Sequence, residues 1–311
     1  MRIDKLFGIK YPFIQGGMAN IATGEFAAAV SNAGALGLIG SGSMDGETLR
    51  YHIRKCKENT NKIFGVNLML MNPHVDELAQ VIIDEGVKVV TTGAGSPSKY
   101  IEMWKAHDIK IFPVVACVSQ AKRMERYGVH GIIAEGTEAG GHVGDLTTMA
   151  LLPQIAESVN IPLIAAGGIA TGKQLLASYV LGACGVQMGT ALLVSEECPI
   201  HINYKNALIN AKDTDTIVTG RISGSPVRAL KNAMTREYIS LEKQGIEGEA
   251  LERIALGGLK RAAFEGDVKT GSVMAGQVCG QLKQIRPLSE IFESLIKEYK
   301  IELEKVGGDE Y

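Results

Sequence analysis

The 311-residue sequence predicts an α/β fold: a (β/α)8 barrel with a helical subdomain inserted after the eighth strand. Three observations carry that expectation. Eight short β-rich runs recur through the first two-thirds of the chain, with helix-spaced segments between them. The runs are continuously apolar rather than alternating, which suits parallel strands buried on both faces. Glycine is enriched, 37 of 311 residues, or about 12% against a usual ~7%, and the excess lies beside those runs. A doubly wound open sheet is the competing arrangement of the same alternation.

In order, the strand-like runs are 13–15, 35–39, 63–69, 87–91, 110–118, 131–134, 162–166 and 186–188. The helical segments between them include an Ala-rich 24–32, then 75–85, which places Val75, Leu78, Ala79 and Ile82 on one face. Segments 100–107, 147–159 and 172–181 are similar. The alternation stops near Cys198 and Pro199. Residues 201–266 read as mostly helical, with charged amphipathic stretches at 226–243 and 249–264. Leu288, Ile291, Leu295, Ile296 and Tyr299 mark a last amphipathic helix in 287–304. The expected organisation is a barrel over 1–200, a cap or substrate subdomain over 201–266, and a segment over 267–311 that returns to the barrel.

Composition narrows the function classes. Hydrophobic residues make up 46% of the chain, enough for a large core, and the net charge of −2 argues against nucleic acid as a partner. Five scattered cysteines form no CxxC pair, so neither a zinc site nor a disulfide framework is expected. Free thiols, no apolar leader and no long uncharged run point to a cytoplasmic protein without a membrane span.

The chemistry gathers at strand ends. The run Gly131 to Ala134 is followed by Glu135, Gly136, Thr137, Glu138, Ala139, Gly140, Gly141 and His142. A core strand needs no acids or imidazole at its tip, whereas proton transfer needs groups that titrate near neutral pH. Gly167 and Gly168 end the seventh run; Gln187, Gly189 and Thr190 end the eighth. Loops after the last two strands of such barrels commonly hold a phosphate through backbone N–H groups; two tight turns without a ligand are the plain alternative. Gly16, Gly17 and Met18 form another glycine-bearing tip, where a flat ring could lie against the backbone. Asn67, polar inside an apolar run, either satisfies a buried neighbour or meets a ligand edge. The other histidines (52, 74, 107, 130 and 201) lack metal-ligand spacing, so no metal site is expected. Glu138 either orients His142 or caps a loop.

In order and spacing, the Gln15-to-Met18 opening, AEGTEAGGH at 134–142, AAGGI at 165–169 and QMGT at 187–190 resemble a known family. It is the flavin-dependent enoyl-acyl-carrier-protein reductase II family, the FabK type, which shares a superfamily with nitronate monooxygenase (2-nitropropane dioxygenase). The resemblance covers nearly the whole chain. It implies a TIM barrel holding FMN, NADH or NADPH as electron donor, and a trans-2-enoyl thioester on an acyl carrier protein as substrate in fatty-acid elongation. Carried over, Gly167, Gly168, Gly189 and Thr190, beside Gln187, would bind the FMN phosphate end. Gly16, Gly17 and Met18 would line the isoalloxazine, with a backbone N–H near its reactive nitrogen. Asn67 and Glu135 would contact the flavin or its ribityl chain, Ala139, Gly140 and Gly141 would form a further wall, and His142 would be the active-site histidine. Met274 and Gln277 resemble a late segment that returns to the flavin. Related reductases can need a monovalent cation, and family members are often homodimers.

Nitronate oxidation with O2 is the alternative inside the superfamily, although oxygenases there more often show glutamine where Glu135 stands and a proline-bearing opening. A non-redox phosphate-binding barrel is the third reading. An acidic carrier would need a local basic patch; Arg221, Arg228, Lys231 and Arg236, in and before the expected cap helix, are candidates, and a solvated helix face is the alternative.

Overall fold

The structure is a computed structural model that describes residues 2–308, so residues 1 and 309–311 of the two outer segments lie outside it. Helix α1 (Ile3–Phe7) opens the chain. There follow β1 (Phe13–Gln15), α2 (Gly24–Asn32), β2 (Gly37–Gly40), α3 (Gly46–Asn59), β3 (Phe64–Met69), α4 (Val75–Asp84), β4 (Val89–Gly93), α5 (Ile101–Lys105), β5 (Lys110–Val115) and α6 (Val118–Arg126). Next come β6 (Ile132–Glu135), a two-residue arm β7 (Gly141–His142), α7 (Thr148–Ala156), β8 (Leu163–Ala166), α8 (Gly172–Val180), β9 (Val186–Met188) and α9 (Thr190–Leu193). Leaving out β7, these eight strands form one parallel sheet in the order β1-β9-β8-β6-β5-β4-β3-β2. A parallel bridge between Ile14 and Leu36 joins its ends, with Leu36 N–H donating to Phe13 O and Gln15 N–H to Leu36 O, both at 2.9 Å. The protein is a (β/α)8 TIM barrel.

Local chemistry sets the element ends. Thr23 and Asp45 accept from Phe26 N and Thr48 N to start α2 and α3, and Thr171 with Gln174 forms a capping box at α8. Gly86 and Gly128, at φ 64° and 71°, turn the chain from α4 and α6 toward the next strand, in a backbone region that costs other residues about 1–2 kcal/mol. The expected 87–91 run moves to Val89–Gly93, because Val87 N–H bonds Ile82 O and closes the helix end. The expected 110–118 run stops at Val115, because Cys117 is already the N-cap of α6.

Strand side chains alternate between two cores. Ile14, Leu38, Val89, Phe112, Ile133 and Ile164 point into the barrel, where Ile3 and Phe7 of α1 join them from the end opposite the strand tips. Their neighbours Phe13, Ile39, Val90, Ile111, Ile132 and Ala165 face the helices.

The segment after the barrel departs from the expected helical reading. It contains α10 (Ile202–Ile209), β10 (Thr216–Thr219), β11 (Val227–Leu230), α11 (Ala233–Lys243), α12 (Glu249–Ala255) and α13 (Gly258–Phe264). β10, β11 and the arm β7 make an antiparallel sheet with His142 opposite Val227 and Gly141 opposite Arg228. Tertiary pairing therefore overrides the helical charge pattern of 226–243. The helix begins only at Ala233, where Asn232 and Thr235 cap it reciprocally. The final helix α14 (Leu288–Gly308) returns to the barrel, and Glu298 accepts from Gly172 N at 2.7 Å at the start of α8.

Candidate active site

Toward the C-terminal strand ends, the inward positions change character. The apolar inner layer gives way, along the same alternation, to Asn67 on β3, Thr91 on β4, Glu135 on β6 and Gln187 on β9. Asn67 Nδ2 donates to Thr91 Oγ1 at 2.9 Å. Gln187 is 7% exposed, and its Oε1 has no hydrogen-bond partner among the described residues. Glu135 is enclosed by protein except where it faces the cavity, its carboxylate takes no hydrogen bond among the described residues, and desolvation pushes its pKa up to about 7. Polar groups left this way at strand tips are a cost to stability and point to a ligand.

Asn67, Glu135 and Gln187 line a cavity of about 910 Å³ over the barrel mouth, whereas Thr91 is fully buried and reaches it only through its bond to Asn67. One wall is backbone. Gly167 and Gly168 turn at φ 87° and 74°, and a Cβ on Gly167 would meet Gly136 O at 2.7 Å. The N–H groups of Gly168, Gly189 and Thr190 have no acceptor among the described residues. The tips of β1 and β9 touch: a Cβ on Gly16 would lie 3.4 Å from Gly189 Cα, and one on Gly17 would overlap the Asn67 side chain. Gly16 N–H donates to Met188 O and Met18 N–H to Gly16 O, at 2.7 and 2.9 Å, so of these three amides only that of Gly17 lacks an acceptor among the described residues. Ala139 lines the cavity, and Gly140 presses against the late segment, where a Cβ on Gly140 would come 2.7 Å from Gly276 N. Gly276 N–H donates to Thr190 Oγ1 at 2.8 Å. Met274 and Gly276 line the cavity, whereas Gln277 is exposed and does not.

The roof is the β7 arm and the hairpin turn at Gly224, Ser225 and Pro226. His142 sits at the rim, exposed, and its ring makes no hydrogen bond among the described residues. Glu138 does not orient it: both carboxylate oxygens accept from Thr148 N, at 3.0 and 2.9 Å, and cap α7. The expected basic patch loses Arg228 and keeps Lys231 and Arg236 exposed. Arg228 is 6% exposed on β11 rather than on a helix. Arg221 pairs with Asp145 at 2.8 Å, and Lys231 donates to Thr214 O at 2.6 Å. The sequence reading missed Thr91, legible as the inward position two residues beyond Val89. It also missed the far rim of Gln120 and Arg123 on α6, which carries no motif.

A TIM barrel with its polar and titratable groups gathered at the C-terminal strand ends is the arrangement of a barrel enzyme. A family model described as nitronate monooxygenase matches residues 1–81 and 75–298, and the chain belongs to that family of oxidoreductases. It is 44% identical to FabK from Thermotoga maritima, with 98% of each chain covered and a TM-score of 0.96. A nitroalkane oxidase from Streptomyces ansochromogenes is 25% identical, with 98% and 99% covered and a TM-score of 0.86. A probable nitronate monooxygenase from Staphylococcus saprophyticus is 32% identical over 96% of this chain and 97% of its own length. No helix among the described residues is long and apolar enough to cross a membrane, and they contain no cluster suited to a metal ion.

Proposed function

We propose that the protein is an FMN-dependent reductase that uses NADH or NADPH to convert a trans-2-enoyl thioester on acyl carrier protein to the saturated acyl thioester, a step of fatty-acid elongation. The observation that carries this reading is the 44% identity to FabK over 98% of both chains, against 25% for the nitroalkane oxidase and 32% for the staphylococcal relative.

The residues fit FMN. Free N–H groups at Gly168, Gly189 and Thr190 suit a phosphate. The side-chain-free tip at Gly16 and Gly17 suits a flat ring, and Gln187 Oε1 is a buried acceptor in want of a donor. When bound, FMN supplies the hydride relay between nicotinamide and the β-carbon of the substrate. The chain's own residues do the rest. His142, at the rim, donates a hydrogen bond or proton to the thioester carbonyl as it becomes enolate-like. Glu135 titrates near neutrality, so its carboxyl can both donate and accept at the cavity floor. Met69, Met71, Val114 and Met124 give the remaining space a soft apolar wall for an acyl chain. Exposed Lys231 and Arg236 are the remaining candidates for contact with an acidic carrier.

Nitronate oxidation by O2 is the second reading, supported by the names of the family model and of the staphylococcal relatives. Steady-state assays separate the two. Crotonyl-thioester-dependent consumption of NADH or NADPH supports the reductase; oxygen uptake that requires an alkyl nitronate, with no thioester-dependent turnover, overturns it.

A further inference from the structure

We infer that Arg228 is a positioning residue whose buried guanidinium locks the β7 arm, and with it His142, over the barrel mouth. Its Nε donates to Thr137 O at 3.0 Å and its Nη1 to Thr216 Oγ1 at 3.2 Å. Thr137 lies on the loop between Glu135 and His142, and Thr216 lies on β10 of the cap. The backbone of Arg228 is itself the register partner of Gly141. One residue therefore holds the loop twice, through the β7–β11 ladder and through its side chain.

Three facts make this more than a packing contact. Arg228 is 6% exposed and its guanidinium is in no close ion pair among the described residues, with the Glu138 carboxylate acting on it only at a distance; an apolar side chain would fill the place at less desolvation cost. A guanidinium presents several donors in one rigid plane, so its Nε and Nη1 tie a barrel-loop carbonyl and a cap hydroxyl at once with little freedom left to lose, which a flexible ammonium does less well. And His142 has no side-chain hydrogen bond among the described residues, so its place over the cavity depends on the arm's backbone alone, which is two residues long plus a bond from Val143 N to Pro226 O at 3.1 Å.

The inference borrows from the proposed reductase activity only the step it affects. The test uses full-length, FMN-loaded Arg228→Met, Arg228→Lys and Thr216→Val. Two half-reactions are timed separately, flavin reduction by NADH or NADPH and reoxidation by crotonyl thioester, and amide hydrogen exchange is followed over residues 136–144. Arg228→Met should slow reoxidation at least tenfold, change flavin reduction less than twofold and speed exchange in 136–144. Arg228→Lys should recover part of the loss, and Thr216→Val should shift the same step at least twofold. Equal slowing of both half-reactions, or unchanged exchange over 136–144, overturns the inference. If Arg228→Met does not fold, Thr216→Val decides by the same criteria. Wild-type flavin that ignores the thioester would defeat the reductase reading alone, and exchange over 136–144 would still decide the clamp.

Discussion

The two sides of the cavity are built on different principles. The wall at β8 and β9 is backbone: positive-φ glycines at Gly167 and Gly168, and N–H groups without acceptors among the described residues. The roof at β7, β10 and β11 is built by pairing between distant segments, in which a two-residue arm from the barrel is held by the backbone ladder to β11 and by the Arg228 side chain. Steric change should therefore break the wall, whereas loss of a hydrogen bond should break the roof. The first failure removes the cofactor; the second leaves it bound and removes the chemistry.

The largest effect should come from the wall. Gly167→Val places a β-branched residue at φ 87°, with its Cβ 2.7 Å from Gly136 O. Strain and clash together should weaken FMN binding roughly 100-fold or more, and purified protein should be colourless by its visible spectrum. On the roof, His142→Ala should lower the rate of flavin reoxidation by an enoyl thioester about 100-fold or more. Because His142 is exposed and its ring unbonded among the described residues, flavin reduction and melting temperature should stay at wild-type values. A loss of FMN in His142→Ala would erase the distinction between wall and roof.

Glu135 lies between the two and gives a pH signature. Its carboxyl pKa is raised by burial to about 7 from an ordinary 4.5, so the folded state binds this proton more tightly than the unfolded state. No penalty arises below about pH 4.5; it grows as pH rises toward 7, then levels off. Flavin-free Glu135→Gln should therefore melt higher than wild type at pH 8 and equally at pH 4.5. The same difference at both pH values would mean that the carboxyl is not the cause. The smallest effect concerns the outer face of the cap. Lys231→Glu with Arg236→Glu should raise KM several-fold for carrier-linked substrate and leave it unchanged for a small thioester; equal changes would remove carrier docking from this face.

The same contrast explains what the sequence could reveal. The wall was legible because its signals are local: an apolar run, a glycine pair and a helix start at 162–172, repeated at 186–190. Glu135 stood out for a similar reason, as a carboxylate on the last position of a core strand. Of the roof, Gly141 and His142 were legible in the motif that ends β6, but the strands that hold them were not. Arg228, Lys231 and Arg236 are spaced like one face of a helix, and only pairing with Gly141 and His142, far away in sequence, makes Val227–Leu230 a strand and buries Arg228. Gln277 shows the same limit on a smaller scale. Its segment was expected at the flavin, but which residue faces inward depends on the packing of Gly276 under Thr190, and Gln277 turns to solvent.

The most direct test is an anaerobic single turnover. Protein reduced by one equivalent of NADH or NADPH is mixed with crotonyl thioester, and flavin absorbance near its visible maximum is followed. The account predicts rapid return of the oxidised spectrum with one saturated thioester formed per flavin. A spectrum that stays reduced with the thioester and recovers only when O2 is admitted would contradict it.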